Sequence, residues 1–117
     1  MSVSAQFREF LIEQMAGFGP VTIRAMFGGA GVYHVGLMFA LVDDDVLYFK
    51  VDEVSRAVFV AEKLSPFVYS MKGGKKIDMS YFRSPERCLD DADEMAQWCR
   101  VAYGVALKAA AQKKPKK

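Results

Sequence analysis

The sequence predicts an α+β domain in which helices pack on one antiparallel sheet, in the order helix, three strands, helix, two strands, helix. Two observations support this prediction. Near both ends of the chain, apolar residues recur at three- and four-residue spacing, the period of a helix buried along one side. Between them lie short apolar or alternating segments interrupted by glycine, proline and aspartate, which is typical of strands and tight turns. A chain of 117 residues with 52% hydrophobic residues is long enough for one folded domain.

The first helix is predicted from an apolar stripe near the N-terminus. Either Ser4 or Ser2 can accept a hydrogen bond as its N-cap. Gly17 suits its end, because glycine readily adopts the left-handed conformation that often follows a helix. The stripe consists of Phe7, Phe10, Leu11 and Met15.

The three strands of the first group are expected within four extended segments, whose residues are β-branched, aromatic or alternately apolar and polar. Gly36 and the run of Asp43, Asp44 and Asp45 are predicted to form the turns between them. The aspartate run lacks the alternating ligands and the glycine of a calcium loop, so a solvated hairpin turn is preferred. The extended segments are residues 21–27, 32–35, 37–42 and 46–51.

A glycine cluster at residues 28–31 is the motif that most resembles a ligand site. A phosphate loop would need a following helix and a Lys-Ser or Lys-Thr pair, and the segment here leads instead into β-rich sequence. A β-bulge or a sharp bend between strands is therefore predicted. His34, the single histidine, is expected to be exposed or on an edge strand, because it has no titrating partner nearby in sequence.

The second helix is predicted to begin after Asp52, its N-cap, and to end before Pro66. Its inner, buried face is expected to carry Val54, Ala57, Val58 and Ala61.

A second hairpin is predicted from strands at residues 67–71 and 76–82, joined by a glycine turn at residues 72–75. The last helix starts at one of two places, Ser84-Pro85-Glu86 or Asp90-Asp91. Its apolar stripe places Trp98 in the core or at its edge, and packing is preferred to a base-stacking role. That stripe consists of Met95, Trp98, Cys99, Ala102, Val105, Ala106 and Ala109.

The residue types that carry catalysis are sparse. Cys88 and Cys99 are expected to be free thiols, because 11 residues of one helix would separate them by about 16 Å. With one histidine and no close cysteine pair, neither a metal nor a cofactor is expected, and the chain is predicted not to be an enzyme. The alternative is a small ligand-binding protein or hydrolase with a carboxylate site that the sequence does not reveal, such as a pair formed among Asp78, Asp90 and Glu86.

Positive charge is concentrated in two places, although the net charge is only +2. Lys72, Lys75 and Lys76 lie at the predicted hairpin tip, and the C-terminal residues 113–117 include Lys113 and Lys114. Direct nucleic-acid binding through these lysines is an alternative to protein binding. We expect residues 1–112 to form the single domain and residues 113–117 to be a disordered basic tail.

No apolar run reaches the roughly 20 residues that span a bilayer, and the N-terminus lacks the pattern of a secretory signal. We therefore expect a cytoplasmic protein rather than a membrane protein.

A set of motifs spread over about residues 5–110 is the most specific feature of the sequence. They are Met26-Phe27-Gly28-Gly29, Gly31-Val32-Tyr33, Gly36-Leu37-Met38-Phe39-Ala40-Leu41, Asp45-Val46-Leu47-Tyr48-Phe49-Lys50-Val51, Pro66-Phe67 with Tyr69, Ser80-Tyr81-Phe82 with Pro85, Leu89-Asp90-Asp91 and Trp98 in the alanine-rich helix. Occurring in this order, they resemble the N-terminal domain of the TfoX (Sxy) family of bacterial competence regulators.

The resemblance implies a two-layer fold of the type III secretion chaperone kind, with one antiparallel sheet covered by helices. It also implies a regulatory protein without catalytic residues, which acts with a cyclic-AMP-responsive activator on competence promoters. A protein partner of unknown identity is therefore expected, with nucleic acid contacted indirectly rather than directly. An exposed sheet edge and the chaperone-like fold favour a homodimer.

Overall fold

The computed structural model describes residues 3–26, 29–71 and 73–112. Side chains are described throughout these ranges except at residues 70 and 71. The elements are α1 Ala5–Gln14, β1 Thr22–Met26, β2 Gly29–His34, β3 Leu37–Asp43, β4 Val46–Lys50, α2 Glu53–Ala61, β5 Pro66–Met71, β6 Gly74–Arg83, α3 Arg87–Asp90 and α4 Ala92–Gln112.

The strands form one antiparallel six-stranded sheet in the order β1-β2-β3-β4-β6-β5. The predicted α+β layout is thereby confirmed. Each of the four extended segments ahead of α2 is a strand of its own, so the first group holds four strands where three were predicted. The second group holds the two predicted strands, and β6 connects the groups by pairing with both β4 and β5.

Two-residue turns close the tight hairpins around β3. Val35 and Gly36 join β2 to β3 with φ of 50° and 76°, and Asp44 and Asp45 join β3 to β4 with φ of 56° and 58°. Pairs of left-handed residues match the twist of the flanking strands. The predicted turns at Gly36 and at the aspartate run are thus confirmed, and Asp45 additionally accepts a hydrogen bond from the Ser4 backbone at 2.8 Å.

The core lies between one face of the sheet and the helices. Buried strand residues such as Val32, Val42 and Phe49 point to this face of the sheet. There they form one cluster with Leu11 of α1 and Cys99 of α4. The opposite face receives the alternate side chains of the same strands. A two-layer arrangement results, with helices on one side.

Helix N-caps follow the sequence prediction. Ser4 Oγ accepts a hydrogen bond from the Phe7 backbone at 3.1 Å, which caps α1. Asp52 accepts one from the Ser55 backbone at 2.8 Å, and the Ser55 hydroxyl accepts one in return from the Asp52 backbone. This reciprocal box fixes the start of α2.

The buried side of α2 differs from the prediction. Val54 is 79% exposed and Val58 is 51% exposed, and both predicted alanines on that face are exposed as well. Phe59, 2% exposed, is instead the one buried residue of this fully described helix. The apolar stripe that was predicted to face the core therefore faces solvent, because a single large ring anchors α2 to the sheet.

The glycine cluster is also placed differently. Gly29 and Gly31 are regular positions of β2, paired with Met26 and Arg24 of β1. The register shift that marks a bulge occurs farther along, between Val32 and Tyr33. The predicted bend at these glycines is therefore wrong for Gly29 and Gly31, while Gly28 lies outside the described residues.

The last helix, α4, begins at the second predicted start, and the first predicted start leads instead into a separate short helix, α3. Pro85 directly precedes the turn into the short α3, and Asp91 then caps α4 by accepting hydrogen bonds from the backbones of Asp93 and Glu94 at 2.9 and 3.2 Å. The predicted stripe of α4 is confirmed, with Trp98 at the edge of the core. Although α4 has 21 residues, none of the described helices is both long and apolar enough to span a membrane.

Both cysteines are buried and free, as predicted. Burial raises the pKa of the Cys88 thiol to about 12. Burial also raises the pKa of the Cys99 thiol, and repulsion from Cys88 raises it further. The two thiols therefore interact, which the break between α3 and α4 permits. Buried, protonated thiols are poor nucleophiles at neutral pH.

The thiols lead to a prediction for alkaline solution. In the unfolded chain they release protons above about pH 9, whereas the folded chain retains them. The unfolded state then binds fewer protons, so the free energy of unfolding should fall as pH rises from 9 towards 12, by up to about 1.4 kcal/mol per pH unit for each thiol. Urea unfolding at pH 8, 9 and 10 measures this slope. The variant combining Cys88→Ala and Cys99→Ala is the control, and an equally steep slope in it would contradict the assignment.

Candidate functional site

A groove with an aromatic floor lies between α2 and α4. We call it the helix groove. It encloses about 310 Å³. Its lining residues are Ser55, Val58, Phe59, Arg87, Glu94, Gln97, Trp98 and Val101.

The floor of the helix groove is aromatic and rigid. The rings of Phe59 and Trp98 meet edge to face with centroids 4.9 Å apart. Trp98 Nε1 donates a hydrogen bond of 2.8 Å to Glu94 Oε1, so the indole is held in one orientation. A partner would therefore meet a preformed apolar surface, and little side-chain ordering would oppose binding.

Apolar side chains continue from the floor along both walls. Val58 on α2 and Val101 on α4 are 51% and 53% exposed, and Val54 lies one turn before Val58. Exposed apolar residues scattered singly are normal, but a contiguous set beside a groove marks an interaction surface. Of the stripe that was misassigned to the core, Val58 thus lines the helix groove.

One end of the helix groove carries a network of ion pairs. Arg87 donates to both carboxylate oxygens of Glu62 at 2.8 and 2.9 Å, and to Glu94 at 3.1 Å. Its guanidinium also lies 5.6 Å from the centre of the Trp98 ring. The hydrogen bond from Arg87 lowers the pKa of Glu62. Two carboxylates share one cation, and Asp93 adds further negative charge at the start of α4, so this end is acidic.

The second candidate surface is the sheet face opposite the helices. The buried side chains of the described helices lie on the other face. Strand register, together with the ring contact between Tyr48 and Phe67, places five aromatic rings and four cations on this one, and we call it the aromatic face. Its members are Arg24, Tyr33, Tyr48, Lys50, Phe67, Tyr69, Lys76, Tyr81 and Arg83.

Ring contacts connect the aromatic face across strands. Tyr48 of β4 meets Phe67 of β5 with centroids 5.0 Å apart, and Phe67 stacks on Tyr69 at 5.7 Å. In the sheet, β6 lies between the strands of Tyr48 and Phe67. Side chains of non-neighbouring strands thus converge.

Cations lie directly over rings of the aromatic face. The guanidinium of Arg24 is 5.3 Å from the centre of the Tyr33 ring, and the ammonium of Lys50 is 5.1 Å from that of Tyr81. Burial is the main cause that raises the pKa of Tyr81 to about 12, so its hydroxyl keeps its proton. The face therefore combines flat apolar rings, positive charge and hydroxyl donors.

The lysines predicted as contacts are only partly brought together. Lys76 pairs with Tyr69 and so lies on the aromatic face, whereas Lys75 pairs with Ser70 and points to the other side. Lys72, Lys113 and Lys114 lie outside the described residues. The hairpin lysines therefore do not act as one patch; Lys76 extends the aromatic face.

The sequence analysis did not single out the other members of the aromatic face. The signal that could have found them was present in the alternation of the strands. Tyr48 and Lys50 occupy alternate positions of β4, as Tyr81 and Arg83 do in β6. Aromatic and basic residues at the outward positions of neighbouring strands indicate an interaction surface, because a face that only contacts water is usually polar.

His34 is half-buried in an aromatic cluster. Its ring lies 4.7 Å from that of Phe18 and 4.9 Å from that of Tyr103, and Nδ1 is 2.7 Å from the Pro20 carbonyl oxygen. It packs at the end of β2, with one ring nitrogen committed to the backbone. In the described part of the chain, no group of three or more His, Cys, Asp or Glu side chains is placed to hold a metal ion.

The carboxylates considered for catalysis are divided between two places. Glu86 and Asp90 line a pocket of about 190 Å³ with Asp45 and Arg83. Asp78 instead belongs to the open side of β6, where it accepts hydrogen bonds from the backbone and hydroxyl of Ser80. Of the three carboxylates considered, Glu86 and Asp90 are therefore brought together, and Asp78 lies apart from them.

The edges of the sheet are β1 and β5. The main-chain groups on the outer side of an edge strand are the ones that could pair with a second copy. The homodimer stays a prediction.

Comparison with known families gives one match. The family model described as the TfoX N-terminal domain matches residues 13–106. This range includes the helix groove and every member of the aromatic face. A search of curated proteins finds no match.

Proposed function

The chain belongs to the TfoX N-terminal domain family, and from this premise we propose that it is a non-enzymatic regulatory domain that acts by binding another protein. The observation that carries the proposal is the exposed apolar stripe of α2 beside the helix groove. Burying it against a partner would remove Val54, Val58 and Val101 from water, at roughly 25 cal/mol for each Å² of apolar surface.

The dimensions of the helix groove favour a helical segment as the occupant. The nine residues of α2 are about 14 Å long, so a partner helix would lie along it for between two and three turns. Such a helix presents its apolar side chains at three- and four-residue spacing, which suits a groove between two helices.

Charge complementarity specifies the partner further. Near the start of α4, the carboxylates of Glu62, Asp93 and Glu94 outnumber the cation of Arg87. A partner helix with lysine or arginine at that end would gain favourable electrostatic interactions, which chiefly improve specificity and association rate. We therefore expect a basic amphipathic helix of a second protein.

A non-enzymatic role is supported by the state of the groups that could react. Cys88 and Cys99 are buried with raised pKa values, and His34 packs between Phe18 and Tyr103. None of these three lines the helix groove. Binding, rather than bond making, is the activity for which this surface is suited.

The test places a photoreactive amino acid at position 101 of the full chain in native cells and identifies the cross-linked peptide by mass spectrometry. We expect a basic amphipathic segment of one regulatory partner, and a change in the transcripts that this partner controls when the chain is deleted. Combining Val58→Glu with Val101→Glu should reduce capture by a tagged chain at least tenfold, because two charges would be buried at the contact.

The matched control is Val60→Glu, which places the same charge on α2 at a residue that is 55% exposed and does not line the helix groove. Capture and transcripts should be unchanged in this variant. Loss of capture in both variants, capture that survives the groove substitutions, or a cross-linked segment without basic residues would each overturn the proposal.

A further inference from the structure

We propose that the aromatic face binds single-stranded RNA, through base stacking on its rings and phosphate contacts with its cations. This surface is separate from the helix groove and lies on the opposite side of the sheet. The inference does not depend on the protein partner proposed above.

The rings of the aromatic face provide a platform on which bases can stack. Tyr69 is 39% exposed and stacks on Phe67, which in turn meets Tyr48. Rings that support each other across strands form a platform that loses little freedom when a base is added. Bases are accessible for stacking only in a single strand, because in a duplex they are already stacked on each other.

The positive charge of the aromatic face favours a polyanion over an apolar partner. Arg24 of β1, Lys50 of β4, and Lys76 and Arg83 of β6 project onto this face from three different strands. Asp78, Asp43 and Asp44 each act on a tyrosine of this face and offset part of that charge, so the four cations outnumber these three carboxylates by one. Cations spread among rings match the alternation of phosphates and bases along a single strand.

The tyrosine hydroxyl groups of the aromatic face favour RNA over DNA. Four of the five rings are tyrosines, and each carries a phenol hydroxyl. A phenol O–H can donate to or accept from the ribose 2′-hydroxyl, which is the group that distinguishes RNA from DNA.

The measurement is fluorescence anisotropy of a labelled 12-nucleotide single-stranded RNA of mixed, unstructured sequence, titrated with the full chain at several salt concentrations. Four phosphate contacts predict that log K falls against log salt with a slope of about −3. The DNA strand of the same sequence and the corresponding RNA duplex should bind more weakly.

Two pairs of variants locate the site. Tyr69→Leu should weaken RNA binding about 5- to 150-fold, as expected for loss of one stacked base, whereas Val68→Ala, on the other side of β5, should leave it unchanged. Lys76→Gln should reduce the salt slope by about 0.7. Lys75→Gln removes the same charge from the other side of β6 and should have a smaller effect.

Several results would overturn the proposal. They are RNA affinity that cannot be measured at low salt, equal loss from Lys75→Gln and Lys76→Gln, or binding that Tyr69→Leu leaves unaltered. DNA binding as tight as RNA binding would overturn the choice of RNA. Circular dichroism of each variant confirms that a loss reflects the surface and not the fold. The Val58→Glu, Val101→Glu variant should retain full RNA affinity, which separates this test from that of the helix groove.

Discussion

The free energy of unfolding of the Phe59→Ala variant is expected to be about 3 to 5 kcal/mol lower than that of the unaltered chain. Phe59 is 2% exposed and is the one buried residue of α2. Its ring lies 6.5 Å from that of Phe49, 6.0 Å from that of Phe82 and 4.9 Å from that of Trp98. Removing it leaves a cavity between the sheet and two helices, and the surrounding rings cannot close it without moving.

The loss should be greatest in α2 itself. Urea unfolding followed by circular dichroism gives the total change, and hydrogen exchange of the backbone amides shows where protection falls first. Val60→Ala, one residue along the same helix and 55% exposed, is the control and should change stability by less than about 0.5 kcal/mol. Similar effects of the two substitutions would mean that α2 is not anchored by the Phe59 ring.

The anchoring of α2 explains why its buried side was predicted wrongly. Periodicity selected Val54, Val58 and the two alanines, because they form the longest apolar stripe. A short helix can be fixed by one large ring, and the burial of Phe59 depends on Phe49, Phe82 and Trp98, which are distant in sequence. Only the tertiary structure reveals that the stripe remains exposed and that Val58 lines the helix groove.

Local features were predictable because their causes are local. The caps at Ser4 and Asp52 act over three residues, and the turn at Asp44 and Asp45 is fixed by left-handed conformations that aspartate tolerates. The stripe of α4 was also predictable, since it is long and regular.

The aromatic face shows the opposite case. Its residues come from β1, β2, β4, β5 and β6, and their proximity depends on a strand order in which β6 lies between β4 and β5. Sequence alternation can tell that Tyr48 and Lys50 share a face, but not that Phe67 lies beside them. The pairing of distant strands is therefore what assembles this candidate site.

The second large effect is expected from Gly29→Ala. A Cβ atom added at Gly29 would lie far inside contact distance of the Val42 backbone carbonyl oxygen, and 3.5 Å from the Asp43 Cα. Since the obstacle is backbone of the neighbouring strand β3, it cannot rotate away as a side chain would. We expect a loss of about 1 to 3 kcal/mol or more in the free energy of unfolding, measured in urea.

Two other glycine-to-alanine variants make the cause specific. At Gly31 the added atom would meet side-chain atoms of Met38, Tyr33 and Met26, which can move, so the loss should be smaller. At Gly104, within α4, it would meet nothing within 4 Å, and alanine should stabilise the helix by about 0.5 to 1 kcal/mol. The predicted order of stability is therefore Gly104→Ala above the unaltered chain, then Gly31→Ala, then Gly29→Ala. A Gly29→Ala variant as stable as Gly31→Ala would show that β2 and β3 can separate without cost, contrary to the close backbone approach that makes glycine necessary at this position.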